Sequence, residues 1–399
     1  MKILYFSNED VPADHAGAVH TWEVARGLAR RGHAVTLISA AASGLCRFER
    51  REGVTMYRAR SRFAGVKSNL RAAWLLPALA HRSWDVVMER YLTLNGLGFL
   101  FAAARRLPYF VEVNGPHLEE ISYRWKLGAG RRARVLRWWV DRQFARADGA
   151  CAPNVNIIRP AARGVAHKII WGVNENQFAA ALRETPEAVA FRRRHAPEDA
   201  FVVVFVGSFR PWQGTRELPA IIARTAARVP GATFWLVGGG DEREAVAAEV
   251  ARAGLGDAVH FLGWRRHAEL PYILAAADAA IAPFNDAYYP PLREFGFFWA
   301  PTKVLESLAS GVAVVTARYP VLDEMVMEGK SGYLVPPGDA DAYAAALARL
   351  AADDQSARAA RAAYAEEDVK SRFSWTRHCE LLEGFLAQAI ERRKGLRRR

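Results

Sequence analysis

The chain has 399 residues, 51% of them hydrophobic and 24% charged. That is material for about two domains of roughly 100–200 residues, each with its own core, and it excludes a wholly disordered chain. The net charge of +13, from 55 Lys and Arg against 42 Asp and Glu, favours an anionic partner without choosing among a nucleotide, a phosphorylated substrate, nucleic acid or an acidic membrane surface.

The elements read as β then α, repeated. Residues 3–6 are a short apolar strand. Trp22, Ala25, Leu28 and Ala29 then recur at helical spacing, and Arg31-Gly32-His33 closes that helix on a glycine. Strands follow at 34–38, 86–88 and 109–113. The second half repeats the scheme with strands at 201–206, 233–237, 259–262, 279–283 and 313–316, and helices at 217–228, 242–253, 268–276 and from 301. After Asp339 the chain is Ala- and Arg-rich and reads as helix to its end. Short apolar strands alternating with helices imply parallel sheets and βαβ crossovers. Two α/β units in tandem are expected, with the pattern broken near 175–198 by Glu184-Thr185-Pro186 and His195-Ala196-Pro197.

Cys46, Cys151 and Cys379 are far apart and in no metal-ligand spacing. A disulfide framework or zinc knuckle is unsupported, and a reducing cytosol fits. The start, Met1-Lys2-Ile3-Leu4-Tyr5-Phe6, turns polar at Ser7-Asn8-Glu9-Asp10 and reads as a strand rather than a secretory signal. With no unbroken apolar run of ~18 residues, no membrane span is expected, and the expected location is cytoplasmic, with a peripheral place on the inner face of the membrane as a further expectation.

Three stretches carry chemistry. Ala16-Gly17-Ala18 is a strand-to-helix turn whose backbone N–H groups can face an anion, or a tight turn with no ligand. In Phe205-Val206-Gly207-Ser208-Phe209-Arg210-Pro211-Trp212-Gln213-Gly214 a buried strand ends at Gly207 and its loop presents Arg210. Ligands gather at the carboxyl ends of parallel strands, where a guanidinium can fork onto a diphosphate; the other reading is a solvated arginine. In Pro301-Thr302-Lys303-Val304-Leu305-Glu306, Pro301 suits the first turn of a helix whose positive end carries Thr302 and Lys303. Glu306, a turn later, can accept two ribose hydroxyls or merely pair along the helix with Lys303.

These stretches, in order and spacing, resemble the GT-B glycosyltransferases of family 4. The likeness runs through 17–37 with Gly32-His33-Ala34-Val35-Thr36, Glu89-Arg90-Tyr91, Glu112-Val113-Asn114-Gly115-Pro116, and Trp171-Gly172-Val173-Asn174 with Phe178. It continues through Val206-Gly207-Ser208-Phe209-Arg210, Leu236-Val237-Gly238-Gly239-Gly240, Phe261-Leu262-Gly263-Trp264 and Pro301…Glu306…Gly311. The resemblance implies two Rossmann-like domains facing each other across a cleft: an acceptor-side domain at 1–180, a donor domain at 198–370, and a C-terminal helix with a basic tail at 371–399 returning towards the first. It implies a retaining transfer from a UDP-, GDP- or ADP-sugar to a glycan, a lipid-linked or a small-molecule acceptor.

By the same resemblance, Gly17, Gly207, Arg210, Gln213, Gly214, Gly238, Trp264, Thr302, Lys303, Val304 and Glu306 bind the donor. Arg210, Lys303, His117 and Asn114 are the catalytic candidates. The leaving diphosphate takes the acceptor proton, and positive charge around it carries the catalysis. No cofactor and no metal is expected, since no Asp-x-Asp stands at a strand end. Three positions depart from the family pattern. Gln213 stands where a lysine is usual, Phe298 where the first of two glutamates is usual, and Asn114 where many members have a histidine, with His117 three residues on.

Between 121 and 146 the chain carries Arg124, Lys126, Arg131, Arg132, Arg134, Arg137, Arg142 and Arg146 against Asp141 alone, with Val135, Trp138 and Trp139 at helical spacing. Such a helix lies on an anionic membrane, or buries its tryptophans as core and solvates its arginines. The tail, Arg392-Arg393-Lys394-Gly395-Leu396-Arg397-Arg398-Arg399, adds to that attraction or is a frayed end. Two other enzyme or module readings stand beside the first: a Rossmann dehydrogenase, whose glycine fingerprint is missing, and a GT-B module without activity that binds a partner. No helix-turn-helix, zinc or RNA-binding signature accompanies the charge, so no nucleic-acid partner is expected.

Overall fold

The computed structural model describes residues 1–11, 13, 15–41, 47–60, 72–128 and 130–398. Cys46, Ala129 of the basic stretch and the terminal Arg399 lie outside them. The chain forms two compact units, Met1–Trp171 with Trp375–Arg399, and Gly172–Ser374.

The first unit runs β1 (Lys2–Asp10), α1 (Ala16–Arg30), β2 (Ala34–Ala41), β3 (Phe48–Arg51), β4 (Val54–Arg60), α2 (Leu76–Ala80), β5 (Val86–Arg90), α3 (Leu97–Ala104), β6 (Tyr109–Glu112), α4 (His117–Trp125), α5 (Arg131–Ala145), β7 (Gly149–Ala152) and β8 (Ala166–Lys168). The sheet order is β3-β4-β2-β1-β5-β6-β7-β8. All pairs are parallel except the β3–β4 hairpin. The continuous apolar run Ile3–Phe6 makes β1 a central strand buried on both faces. In register, Ile3 stands beside Val35 on one side and Val86 on the other. Val24, Ala25 and Leu28 of α1 close the core over Ile3, Tyr5, Leu37 and Met88. The reversal of strand order between β2 and β5 about β1 creates a crevice at the carboxyl ends of these strands.

The second unit runs α6 (Pro186–His195), β9 (Val202–Val206), α7 (Leu218–Arg228), β10 (Thr233–Val237), α8 (Arg243–Arg252), β11 (Val259–Gly263), α9 (Leu270–Ala275), β12 (Ala279–Ala282), α10 (Pro290–Phe295), α11 (Thr302–Ala309), β13 (Ala313–Ala317), α12 (Leu322–Met325), β14 (Gly332–Val335), α13 (Ala340–Ala351) and α14 (Gln355–Phe373). Its sheet is all parallel, in the order β11-β10-β9-β12-β13-β14. The order reverses between β9 and β12, so the loops after these two strands flank the switch point. Both are continuous apolar runs, buried at 202–205 and Ala279–Ala282, the pattern of a strand covered by helices on each face. The last helix, α15 (Trp375–Arg398), belongs to the first unit, where Cys379, Leu382 and Leu386 join the α1 side of the core.

The units divide at 171/172 and 374/375, outside the break read at 175–198. The reason is local. Arg183 and Arg192 both bind the buried Asp278 carboxylate, and Arg192 also donates to the Ala276 and Ala200 carbonyls at 2.7 Å. These bonds fasten the segment around α6 to the second unit.

Candidate functional site

In the second unit the loop after β9 and the head of α11 meet. The amine of Lys303 donates to Gln213 Oε1 at 2.8 Å and lies 4.6 Å from the ring centroids of both Phe205 and Phe284. Desolvation in this aromatic seat pushes the amine down from 10.5 to about 7. Among the described residues no carboxylate lies within salt-bridge distance of it. Arg210 is exposed, with its guanidinium 5.5 Å over the Trp212 ring, and Trp212 packs in turn on Tyr289 at 4.9 Å. Thr302 opens α11, whose N-terminus no side chain caps, and Val304 is buried one residue further on. The Lys303 amine and a bare helix start thus meet at the switch point, with Arg210 on the loop after β9, an arrangement suited to a polyanion.

The glycines here are demanded by the backbone. Gly214 has φ +77 and a Cβ on it would overlap the Pro283 carbonyl; Gly238 has φ +128 and a Cβ on it would overlap the Gly207 carbonyl. Gly207 itself lies against Lys303, its added Cβ falling 2.9 Å from the amine. These close approaches bring the loops after β9, β10 and β12 together.

Glu306 is buried, and its Oε1 meets His267 Nε2 at 3.0 Å. His267 sits on the short turn His267–Glu269 after β11, in the same loop as Trp264, which is 69% exposed. Nothing in the sequence pattern singled out His267, which follows two arginines and precedes an ordinary amphipathic helix.

In the first unit the predicted residues fall in two places. Gly17 is the second residue of α1, and the Glu9 carboxylate lies so close that a Cβ on Gly17 would overlap it. Glu9 also accepts from Arg90 Nε at 3.1 Å. The near approach at this turn is therefore made by a carboxylate of the chain itself. His117 begins α4; its Nδ1 meets Thr93 N–H at 3.3 Å and Thr93 Oγ1 at 3.1 Å. Burial, with Arg124 and Arg90 adding to it, pushes its imidazole down to about 4. The ring is neutral at ordinary pH, with Nδ1 accepting and Nε2 carrying the proton. Asn114 Oδ1 accepts from Trp171 Nε1 at 2.7 Å, and its buried Nδ2 has no partner among the described residues.

A buried cluster that the sequence reading missed lies beside these. Glu112 accepts from Tyr5 OH at 2.6 Å and from His20 Nε2. The His20 ring packs against Trp171 at 4.3 Å, Trp375 at 5.2 Å and His378 at 5.6 Å. Burial alone would raise Glu112, but His20 and Arg90 outweigh it and hold the carboxyl well below the usual range, while burial lowers His20. His20 thus donates to an ionised carboxylate.

The two readings of the basic stretch divide between its tryptophans. Trp139 is half-buried, donates to the Asn95 carbonyl at 2.8 Å and packs on Phe99 at 5.5 Å. Trp138, Val135, Trp125 and Tyr123 are each more than half exposed, among exposed Arg124, Lys126, Arg131, Arg132, Arg134 and Arg137. No helix among the described residues is long and apolar enough to cross a membrane.

Two doubly wound parallel sheets, the second with a cationic crevice at its switch point, define the GT-B architecture. Comparison with known proteins agrees. Residues 16–165 match the model described as "Glycosyl transferase 4-like domain" and residues 200–353 the one described as "Glycosyl transferases group 1". The chain belongs to the GT-B glycosyltransferases. It is 31% identical over 281 residues to the D-inositol 3-phosphate glycosyltransferase of Acidothermus cellulolyticus, an alignment covering 67% of this chain and 55% of that protein. The chain spans about half the length of the curated relatives it matches. Among solved structures it superposes on sucrose-phosphate synthase from Thermosynechococcus elongatus with TM-score 0.73 at 20% identity, covering 98% of this chain and 99% of that one. It superposes on the Anabaena protein HepE in complex with UDP with TM-score 0.72 at 18% identity, covering 97% and 100%. At such identities the likeness concerns the fold.

Proposed function

We propose that the chain transfers a sugar from a nucleoside-diphosphate sugar, held by the second unit, to a glycan, lipid-linked or small-molecule acceptor, with retention of the anomeric configuration. The observation that carries this is the Lys303 amine, desolvated between two rings and hydrogen-bonded to a neutral amide. A buried cation without a carboxylate is costly unless an anion completes it, and the UDP-binding neighbour HepE shares the fold.

Lys303 and Arg210 take the diphosphate, with the bare start of α11 at Thr302 and Val304 facing the same charge. Glu306 takes the ribose hydroxyls, and exposed Trp264 is the aromatic surface available to the base. Gly207, Gly214 and Gly238 let the backbone come close enough for this. As the sugar–phosphate bond breaks, negative charge grows on the leaving oxygen, and the two cations stabilise it. The acceptor proton passes to that phosphate oxygen. His117, whose Nε2 carries the ring proton, and Asn114 are the polar groups the first unit offers. In this scheme the cations do the work of a metal, so chelation with EDTA is expected to leave turnover unchanged.

Calorimetry with UDP, GDP and ADP tests the proposal. One of them is expected to bind, and Arg210→Ala to weaken it by roughly 1.5–3 kcal/mol, the value of a charge-assisted hydrogen bond. Unchanged affinity removes Arg210 from the site, and binding of none of the three refutes the reading. Proton NMR of the first product checks retention.

The exposed aromatic and basic side chains at 121–146 favour a second contact, with an anionic membrane surface. Co-sedimentation with phosphatidylglycerol vesicles, lost on reversing the charges of Arg131, Arg132, Arg134 and Arg137, is the expected result. A wild-type chain that stays in the supernatant refutes it.

A further inference from the structure

Glu306 is held by a neighbour on a different element. His267 Nε2 lies 3.0 Å from Glu306 Oε1. On the other side of the ring, His267 Nδ1 faces Gln177 Nε2 at 3.4 Å. An amide nitrogen only donates, so Nδ1 accepts and the proton of the ring sits on Nε2, where it donates to the carboxylate. The edge of Phe178 packs on the same imidazole at a centroid distance of 5.6 Å. The turn that carries His267 is fixed at its start by Glu269, which accepts from Arg266 N–H at 2.9 Å.

The consequence concerns the remaining oxygen. A carboxylate with both oxygens unconstrained turns about its last bond, and a ligand that binds it must first stop that rotation. With Oε1 engaged, Oε2 is presented in one direction, and the ordering is done before the ligand arrives. The geometry points to His267 as a positioning residue that aims Glu306 at the ribose hydroxyls and so makes the site discriminate ribonucleotides from their deoxy counterparts. This rests on the reading of Glu306 as the ribose ligand given above. Gln177 is the outer member of the relay, since it fixes which nitrogen of His267 donates.

The test measures a ratio of affinities. The tightest-binding of UDP, GDP and ADP and its 2′,3′-dideoxy analogue are titrated calorimetrically into the full-length chain. The wild type is expected to prefer the ribose form by at least about tenfold, as for hydrogen bonds to a charged acceptor. His267→Ala is expected to reduce that preference to about threefold or less, with the dideoxy affinity within about twofold of wild type, because only the aimed oxygen is lost. His267→Gln, whose amide nitrogen can donate to the same oxygen, restores the preference. Gln177→Leu lowers it part of the way, and it answers the question alone if His267→Ala does not fold. An undiminished preference in His267→Ala, or an equal loss for both nucleotides, overturns the assignment while leaving the nucleotide site standing. Failure of all three nucleotides to bind the wild type overturns both.

Discussion

Each unit buries an ionic centre, and the two are built in opposite ways. In the first unit Glu112 is met by His20 and by Tyr5 at 2.6 Å, Arg90 is met by Glu9 at 3.1 Å, and Trp171 and Trp375 close over the His20 ring. Those two tryptophans are the residues at which the chain leaves the first unit and re-enters it. In the second unit Lys303 has an amide oxygen and two aromatic faces but, among the described residues, no carboxylate. A centre whose charges are answered from within stabilises the fold, whereas one left unanswered suits the ligand site proposed above. The contrast separates two roles that burial alone would confuse.

The largest effect expected is on the answered centre. Glu112→Ala leaves the Tyr5 hydroxyl and the His20 N–H buried without their acceptor. Breaking such a pair costs about 3–5 kcal/mol, read as a loss of unfolding free energy in urea. A loss below about 1 kcal/mol, the scale of an exposed pair, would make the cluster incidental.

The same centre should be sensitive to acid. His378 packs on His20 and Trp375 and engages the Ile170 carbonyl through Nδ1 at 2.9 Å. Burial, with His20 adding to it, pushes its imidazole from 6.5 down to about 4. Below 6.5 the unfolded chain takes up a proton that the folded chain refuses, so this contribution to stability drains away as the pH falls towards 4. One such histidine accounts for up to about 3 kcal/mol. Urea titrations at stepped pH should show the decline, and His378→Gln, which cannot take the proton, should flatten it.

Lys303 gives the same sign over a higher range of pH. Its folded amine is lowered from 10.5 to about 7. Between those values the unfolded chain holds more protons, and stability rises with pH. Diphosphate affinity runs the other way, because the anion requires the charged amine, and it should fall by up to about tenfold per pH unit above neutrality. Lys303→Met should abolish that pH step and weaken nucleoside-diphosphate binding by roughly 1.5–3 kcal/mol, without loss of folding stability. Full affinity in this variant would put the unanswered cation outside the ligand site.

Much of the fold was legible because central parallel strands are continuous apolar runs. Residues 3–6, 86–88 and 233–237 announce themselves, and all lie within strands. Two of the strands missed, β3 and β7, carry no such mark. β3 is Phe-Glu-Arg-Arg on a sheet edge, and β7 is Gly-Ala-Cys-Ala, buried by its neighbours rather than by its own bulk. The placement of Arg210 after a strand end and of Lys303 at a helix start was readable because the rule about strand ends and helix starts is local. The bond between Lys303 and Gln213 spans ninety positions and that between His267 and Glu306 thirty-nine, so neither leaves a spacing to read. His20 did leave one: it shares an i, i+4 face with Val24 and Leu28, the buried side of α1.

The smallest effect lies at the surface of the first unit, where the two tryptophans of α5 behave differently. Trp139 packs on Phe99 and bonds to the Asn95 carbonyl, whereas Trp138 is more than half exposed with Arg142 5.6 Å over its ring. Trp138→Ala should change folding stability by no more than about 0.5 kcal/mol, as an exposed substitution does. An indole among basic side chains is suited to the lipid headgroup level. The same variant should therefore lower the partition onto phosphatidylglycerol vesicles several-fold, and the loss should persist in high salt, which screens the arginines but not the indole. Trp139→Ala reverses the pattern, losing stability and leaving partition largely intact. If both variants lose stability and neither loses partition, the exposed indole has no part in the membrane contact, and the basic side chains alone must account for it.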